Sequence, residues 1–241
     1  MIPLTLAHTS ISLPVPPNNE KPEGSPASAI SDGVISIVVT STALHAAILH
    51  DSEALRASVP GTERFKLAAA QNATTWYRAR ARLLAPVQRY DVNADAFVPV
   101  SGEEDALELQ GPFAYFLSTV NVDRLEPLFR IAPLQRALPP PPGALTMDVL
   151  VVRPLRDLSL EGKSGQEERE RYKERLWAVL GRAPYQDGAH IRALYGTQDG
   201  KEDGLPIVEY FRVKGWEWIP VRLPLGTSSS FDTDIHSGRR R

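Results

Sequence analysis

Apolar positions along this chain change rhythm, from helical spacing before about residue 83 to strand-like alternation after Pro86. The β-branched-rich run Val34-Ile35-Ser36-Ile37-Val38-Val39 follows an Asp32-Gly33 turn and predicts a buried strand. Leu44, Ile48 and Leu55, with alanines between them, predict a helix that includes Ser52 to Arg56 and is broken by Pro60-Gly61. Thr62 to Leu83 predicts a second helix, with Phe65, Leu67, Ala68, Ala69 and Trp76 available for burial.

Beyond Pro86 the strand candidates are Phe97 to Val100, Leu107 to Leu109, Phe113 to Val122, Leu128 to Ala132, Met147 to Val152, His190 to Tyr195 and Ile207 to Val213. One further helix interrupts them. Ser164 and Glu167 have capping-box spacing, Tyr172, Leu176, Val179 and Leu180 form an apolar stripe, and Gly181 closes it. Its opposite face mixes Glu, Arg and Lys and reads as solvated. Pro139 to Pro142 predicts an exposed polyproline turn. No internal repeat is visible. Many short strands and few helices imply a mainly β fold with α additions, an antiparallel β-sandwich with helices. The domain division expected is a short strand region at 1–13, a Pro-rich linker at 14–32, a β-sandwich domain at 33–220 and an irregular tail at 221–241.

Composition narrows the classes. With 42% hydrophobic and 23% charged residues, the chain has the balance of a globular protein. A formal net charge of −2 gives no global basic field for nucleic acid. The absence of cysteine removes disulfides, thiolate metal sites and thiol nucleophiles together. No apolar run approaches the ~20 residues of a membrane span, and the first residues lack the basic start of a signal peptide. The expectation is a cytoplasmic protein without a transmembrane segment.

Chemistry concentrates around Pro60-Gly61. Arg56 lies before the turn and Arg64 after it, and a tight turn brings two guanidinium forks toward one point, an arrangement suited to phosphate oxygens. From the residues alone, the plainer reading puts both arginines on solvated helix faces. His45, His50 and Asp51 are close in sequence, but a spacing of five puts the histidines on different helix faces, unlike metal-ligand helices. Spacing does not assemble Ser118, Asp187 and His190 into a triad. The terminal Arg239-Arg240-Arg241 comes without a stacking motif for nucleic acid.

Asp51-Ser52-Glu53-x-x-Arg56, the Gly61-x-Glu63-Arg64-Phe65 run and Tyr77-Arg78-Ala79-Arg80-Ala81-Arg82-Leu83 together resemble one continuous block of the sphingosine kinase and diacylglycerol kinase-like lipid kinases, closest to fungal members. Tyr115-Phe116, Ile131-Ala132-Pro133-Leu134-Gln135, Met147 to Pro154 and Gly215-Trp216-Glu217-Trp218 extend the resemblance in order over residues 33–220. It implies the β-sandwich second lobe of that family, whose reaction transfers the ATP γ-phosphoryl group to a lipid hydroxyl. The implied partners are ATP, Mg²⁺ and a diacylglycerol or sphingoid lipid, with peripheral membrane contact. Arg56 and Arg64 would meet ATP phosphates, Glu53 would support Arg56 or the nucleotide, and Phe65 would line the lipid pocket. Leu67, Phe113, Phe116 and Phe129 are further pocket candidates by pattern, with ordinary core packing as their plainer reading.

Departures from the family limit what is implied. The Gly-Gly-Asp-Gly-Thr type of phosphate loop is missing, because the glycines here stand singly or a few residues apart. The family's closing Asp-Gly motif does not follow Trp216-Glu217-Trp218, and the match begins near residue 33. The position of the sphingoid-binding aspartate falls near Leu49, against sphingosine specificity. The expectation is therefore a chain inactive as a kinase on its own, with a non-catalytic lipid-binding or interaction module, or a truncated gene product, as the alternative.

Overall fold

The computed structural model describes residues 5–11, 33–100, 105–196 and 204–221. The linker expected at 14–32 and the tail after Val221 lie outside the described residues. Two antiparallel sheets carry the fold. The larger has six strands in the order β3 (Val39–Thr42), β8 (Tyr115–Thr119), β9 (Met147–Val152), β10 (Glu209–Val213), β5 (Gln88–Asp91) and β6 (Ala96–Pro99). The smaller has β11 (Gly215–Pro220), β4 (Ala79–Leu84) and β7 (Leu107–Gln110). A separate ribbon pairs β1 (Ala7–Thr9) with β2 (Val34–Ser36). The chain passes between the two main sheets five times, most directly from β4 into β5 and from β10 into β11.

Strand alternation divides the apolar residues into two cores. Ala79, Ala81, Leu83 and Leu109 of the small sheet meet Phe116, Val149, Val151, Phe211 and Val213 of the large one, together with Phe113. Trp216 and Trp218 close this layer, with ring centroids 4.9 and 5.2 Å from Phe116. The intervening residues Tyr115, Leu117, Leu150, Val152 and Tyr210 point the other way, into a second core. There Leu44 of α1 (Ala43–Ala54), Leu134 of α3 (Leu134–Ala137), and Tyr172 and Leu176 of α4 (Gln166–Leu176) cover the large sheet. A π-helical turn, Trp177–Arg182, prolongs α4 and buries Val179 and Leu180, so the predicted apolar stripe is buried as a whole. α2 (Glu63–Asn72) packs against α1.

Several predicted elements take another form. The run Val34 to Val39 is not one buried strand. A bend at Ile37-Val38 splits it, and its first half pairs only with β1, leaving Val34 and Ile35 68% and 63% exposed. The helix predicted over Thr62 to Leu83 stops at Asn72, and residues 79–84 form β4. Alanine and arginine favour helix in isolation, but here they alternate with period two, and tertiary pairing decides. α1 ends at Ala54, so Ser52 and Glu53 are helical while Arg56 sits in the turn beyond.

Leu128 to Ala132 and His190 to Tyr195 are not strands. In the first, the backbone N–H groups of Phe129, Arg130 and Ala132 donate to the carbonyls of Glu126, Pro184 and Asp123, satisfying the polar groups of a loop that enters the core only at Ile131 and Ala132. The second begins with a 3₁₀ turn, Ala189–Arg192, entered through Gly188 at φ +78. The capping box does not form: Gly165 occupies the N-cap position of α4 and makes no side-chain cap.

Candidate functional site

The α1–α2 hairpin carries the residues singled out by sequence. Asn72 donates through Nδ2 both to Asp51 Oδ2 at 2.7 Å and to the Ala68 carbonyl at 2.9 Å, fixing the end of α2 against α1. Hydrogen bonds from His50 and then Asn72 hold the Asp51 carboxyl below its ordinary range. Ser52 is buried and donates back to the Leu49 carbonyl.

The two arginines meet different partners. Arg56 Nη2 donates to Glu53 Oε1 at 2.8 Å, an exposed pair three residues apart. Both side chains of this pair are largely exposed. Lys66 and Glu63 make a similar pair at 2.7 Å. Arg64 has no carboxylate among the described residues. Its Nη1 donates to the Gly61 carbonyl at 2.9 Å, its Nε is buried without a partner, and its guanidinium lies 4.5 Å from the centre of the Phe65 ring. Gly61, at φ +77, turns the chain so that this carbonyl faces back toward Arg64.

Phe65 is half-buried and stands apart from the two cores, whereas Phe113 and Phe116 are fully buried between the sheets. Phe129 packs edge-on to Tyr185, and Leu67 is 45% exposed. The structure therefore does not gather these five residues around one pocket. Two concavities lie elsewhere. One, of about 460 Å³, runs along Thr9 and residues 34–40. The other, of about 330 Å³, lies beside α4 and is lined by Asp157, Ser159, Tyr172 and Arg175 among others.

The remaining sequence candidates are each engaged separately. Ser41 Oγ lies 2.7 Å from His45 Nδ1, and burial pushes the His45 pKa down to about 4. Ser118 donates to the Thr40 carbonyl, Asp187 pairs with Arg130, and His190 Nε2 meets the Ile131 carbonyl at 2.9 Å. No triad is assembled from them. Among the described residues, no cluster of three or more His, Asp or Glu is placed to hold a metal ion.

Two buried charge clusters were not anticipated. Asp148 is held by Arg212 at 2.8 Å and by the Tyr210 hydroxyl at 2.7 Å, while burial pushes its carboxyl above the ordinary range. Arg212 also donates to the Leu138 carbonyl at the end of α3 and lies over the Phe97 ring. Glu209 receives Arg153 in a bidentate pair at 2.7 and 2.8 Å and Arg156 at 3.2 Å. Their signal in the sequence is a charge inside an otherwise apolar strand, Asp148 in β9 and both Glu209 and Arg212 in β10. No helix among the described residues is long and apolar enough to cross a membrane. Compared with known proteins, the chain matches no family model and no curated sequence.

Proposed function

We propose that this domain binds a lipid whose hydroxyl or phosphate lies at the α1–α2 hairpin, as the second lobe of a lipid kinase-like protein. Arg64 and Arg56 meet phosphate oxygens, Glu53 orients Arg56, and Phe65 meets the start of the lipid chain. ATP and Mg²⁺ are the partners of the complete family reaction. The observation that carries this reading is Arg64, a guanidinium without a carboxylate partner among the described residues, lying over an aromatic ring just after the turn at Gly61. Such a group offers free donors to an anion while its ring neighbour offers apolar surface.

Phosphoryl transfer also requires a phosphate cradle and a base beside the acceptor hydroxyl. The sequence contains no glycine-rich phosphate loop. That observation favours, for this chain by itself, a binding module over a working kinase. The purified chain is expected to transfer no phosphoryl group from ATP to diacylglycerol or a sphingoid base. Titrating it with Mg-ATP while following arginine Nε–H resonances by NMR tests the phosphate role. Movement of the Arg64 and Arg56 signals, with affinity lost in the Arg56→Ala, Arg64→Ala double variant, is expected. Silent resonances and an unchanged affinity would remove both arginines from the account.

A further inference from the structure

We infer that the outer face of the three-stranded sheet is a docking surface for an anionic lipid bilayer. Alternation in β4 sends Ala79, Ala81 and Leu83 into the core and turns Arg80 and Arg82 outward, with Arg78 exposed just before the strand. The three arginines are not equivalent. Arg82 is paired across the sheet with Glu217 on one side and Glu108 on the other, and its Nη1 lies 3.5 Å from Glu217. Arg80 sits between Ile219 and Gln110. Arg78 lies beside Val221, whose N–H donates to the Arg78 carbonyl. Among the described residues neither Arg78 nor Arg80 forms an ion pair.

One end of an exposed sheet face thus presents two unpaired guanidinium groups beside two exposed aliphatic side chains, Ile219 and Val221. The large sheet has helices over its outer side, whereas the outward residues here, Arg80, Arg82, Glu108, Gln110 and Glu217, are all exposed. Charge complementarity selects an anionic partner, and the aliphatic neighbours select one with an apolar boundary under its charge. Nucleic acid would use aromatic side chains for stacking, but Trp216 and Trp218 pack against the inner layer. The inference deepens the lipid reading given above. It rests on that reading and names the surface that brings the domain to its substrate.

The test is co-sedimentation of the full chain with phosphatidylcholine vesicles prepared with and without phosphatidylserine. Binding is expected only to the anionic vesicles and should weaken with salt. Each basic side chain near such a surface contributes about fivefold, so Arg78→Ala with Arg80→Ala should lower partitioning about 25-fold. Arg82→Ala, flanked by two carboxylates, should change it far less. Lys173→Ala, a basic residue on α4 away from both this sheet and the hairpin, should bind vesicles as the unaltered chain does. Equal binding to neutral vesicles, or unchanged binding after the Arg78 and Arg80 substitutions, overturns the inference. If the Arg56 and Arg64 substitutions abolish vesicle binding instead, the docking face is misassigned while the lipid reading of the hairpin survives.

Discussion

His190 shows how far a single residue can escape sequence reading. It is fully buried, its Nε2 meets the carbonyl of Ile131, and its Nδ1 is buried without a partner. The partner lies 59 residues away in sequence, so no local pattern announces the arrangement. By contrast, Glu53 and Arg56 pair at a spacing of three, which the sequence displays directly. Burial lowers the His190 pKa to about 4 from its ordinary 6.5. The unfolded chain therefore binds the proton more readily, and stability rises with pH through this window. The contribution is complete above pH 6.5 and is lost as pH falls toward 4, on the order of 3 kcal/mol in all. His45, lowered to about 4 by burial, adds to the same window with the same sign. Urea denaturation of the chain and of His190→Gln between pH 4 and 7 measures this. The variant should have a visibly flatter acid slope, and an unchanged slope would mean that His190 titrates normally.

Among the elements, β8, β9 and β10 of the large sheet were legible, whereas β5 of the same sheet was not among the predicted strands and β3 begins where the predicted run 34–39 ends. Met147 to Val152 forms β9 as predicted, because an apolar run of strand length buried on both faces admits little else. β4 was hidden, since its alanines and arginines are good helix formers and only their alternation betrays the strand. Leu128 to Ala132 misled in the opposite way: Ile131 and Ala132 are core residues, but they reach the core from a loop. The assignment of faces gives a contrast in β4. Leu83→Ala should cost about 2–5 kcal/mol, the usual range for a fully buried leucine, and Arg82→Ala well under about 1 kcal/mol. Ser164→Ala should likewise fall short of the ~1 kcal/mol typical of a lost N-cap, because Gly165 holds that position. Denaturant midpoints at constant slope measure all three. A large loss for Ser164→Ala would show that the capping box forms in solution.

For the molecule as a whole, an antiparallel β-rich architecture with a few helices was readable from the number and brevity of the strands. The arrangement of the phenylalanines was not. Phe113 and Phe116 fill the layer between the sheets with Trp216 and Trp218, so the acyl chain of a ligand would have to run elsewhere, over the hairpin where Phe65 and Leu67 reach the surface. Sequence pattern identifies such residues as apolar without saying which of two cores, or neither, each will join.

The account turns on the pairing of Arg64 with Phe65, and thermal unfolding with long-chain diacylglycerol, sphingoid and ceramide lipids tests it most directly. A ligand that binds only the folded state at about 100 times its Kd stabilises by about 2.7 kcal/mol, several degrees in Tm for a chain of this size. The account predicts such a shift with at least one of these lipids, and its loss in a Phe65→Ala variant that still unfolds cooperatively. No shift with any of them, or the same shift in Phe65→Ala, would contradict it and leave Phe65 as packing between helix and surface.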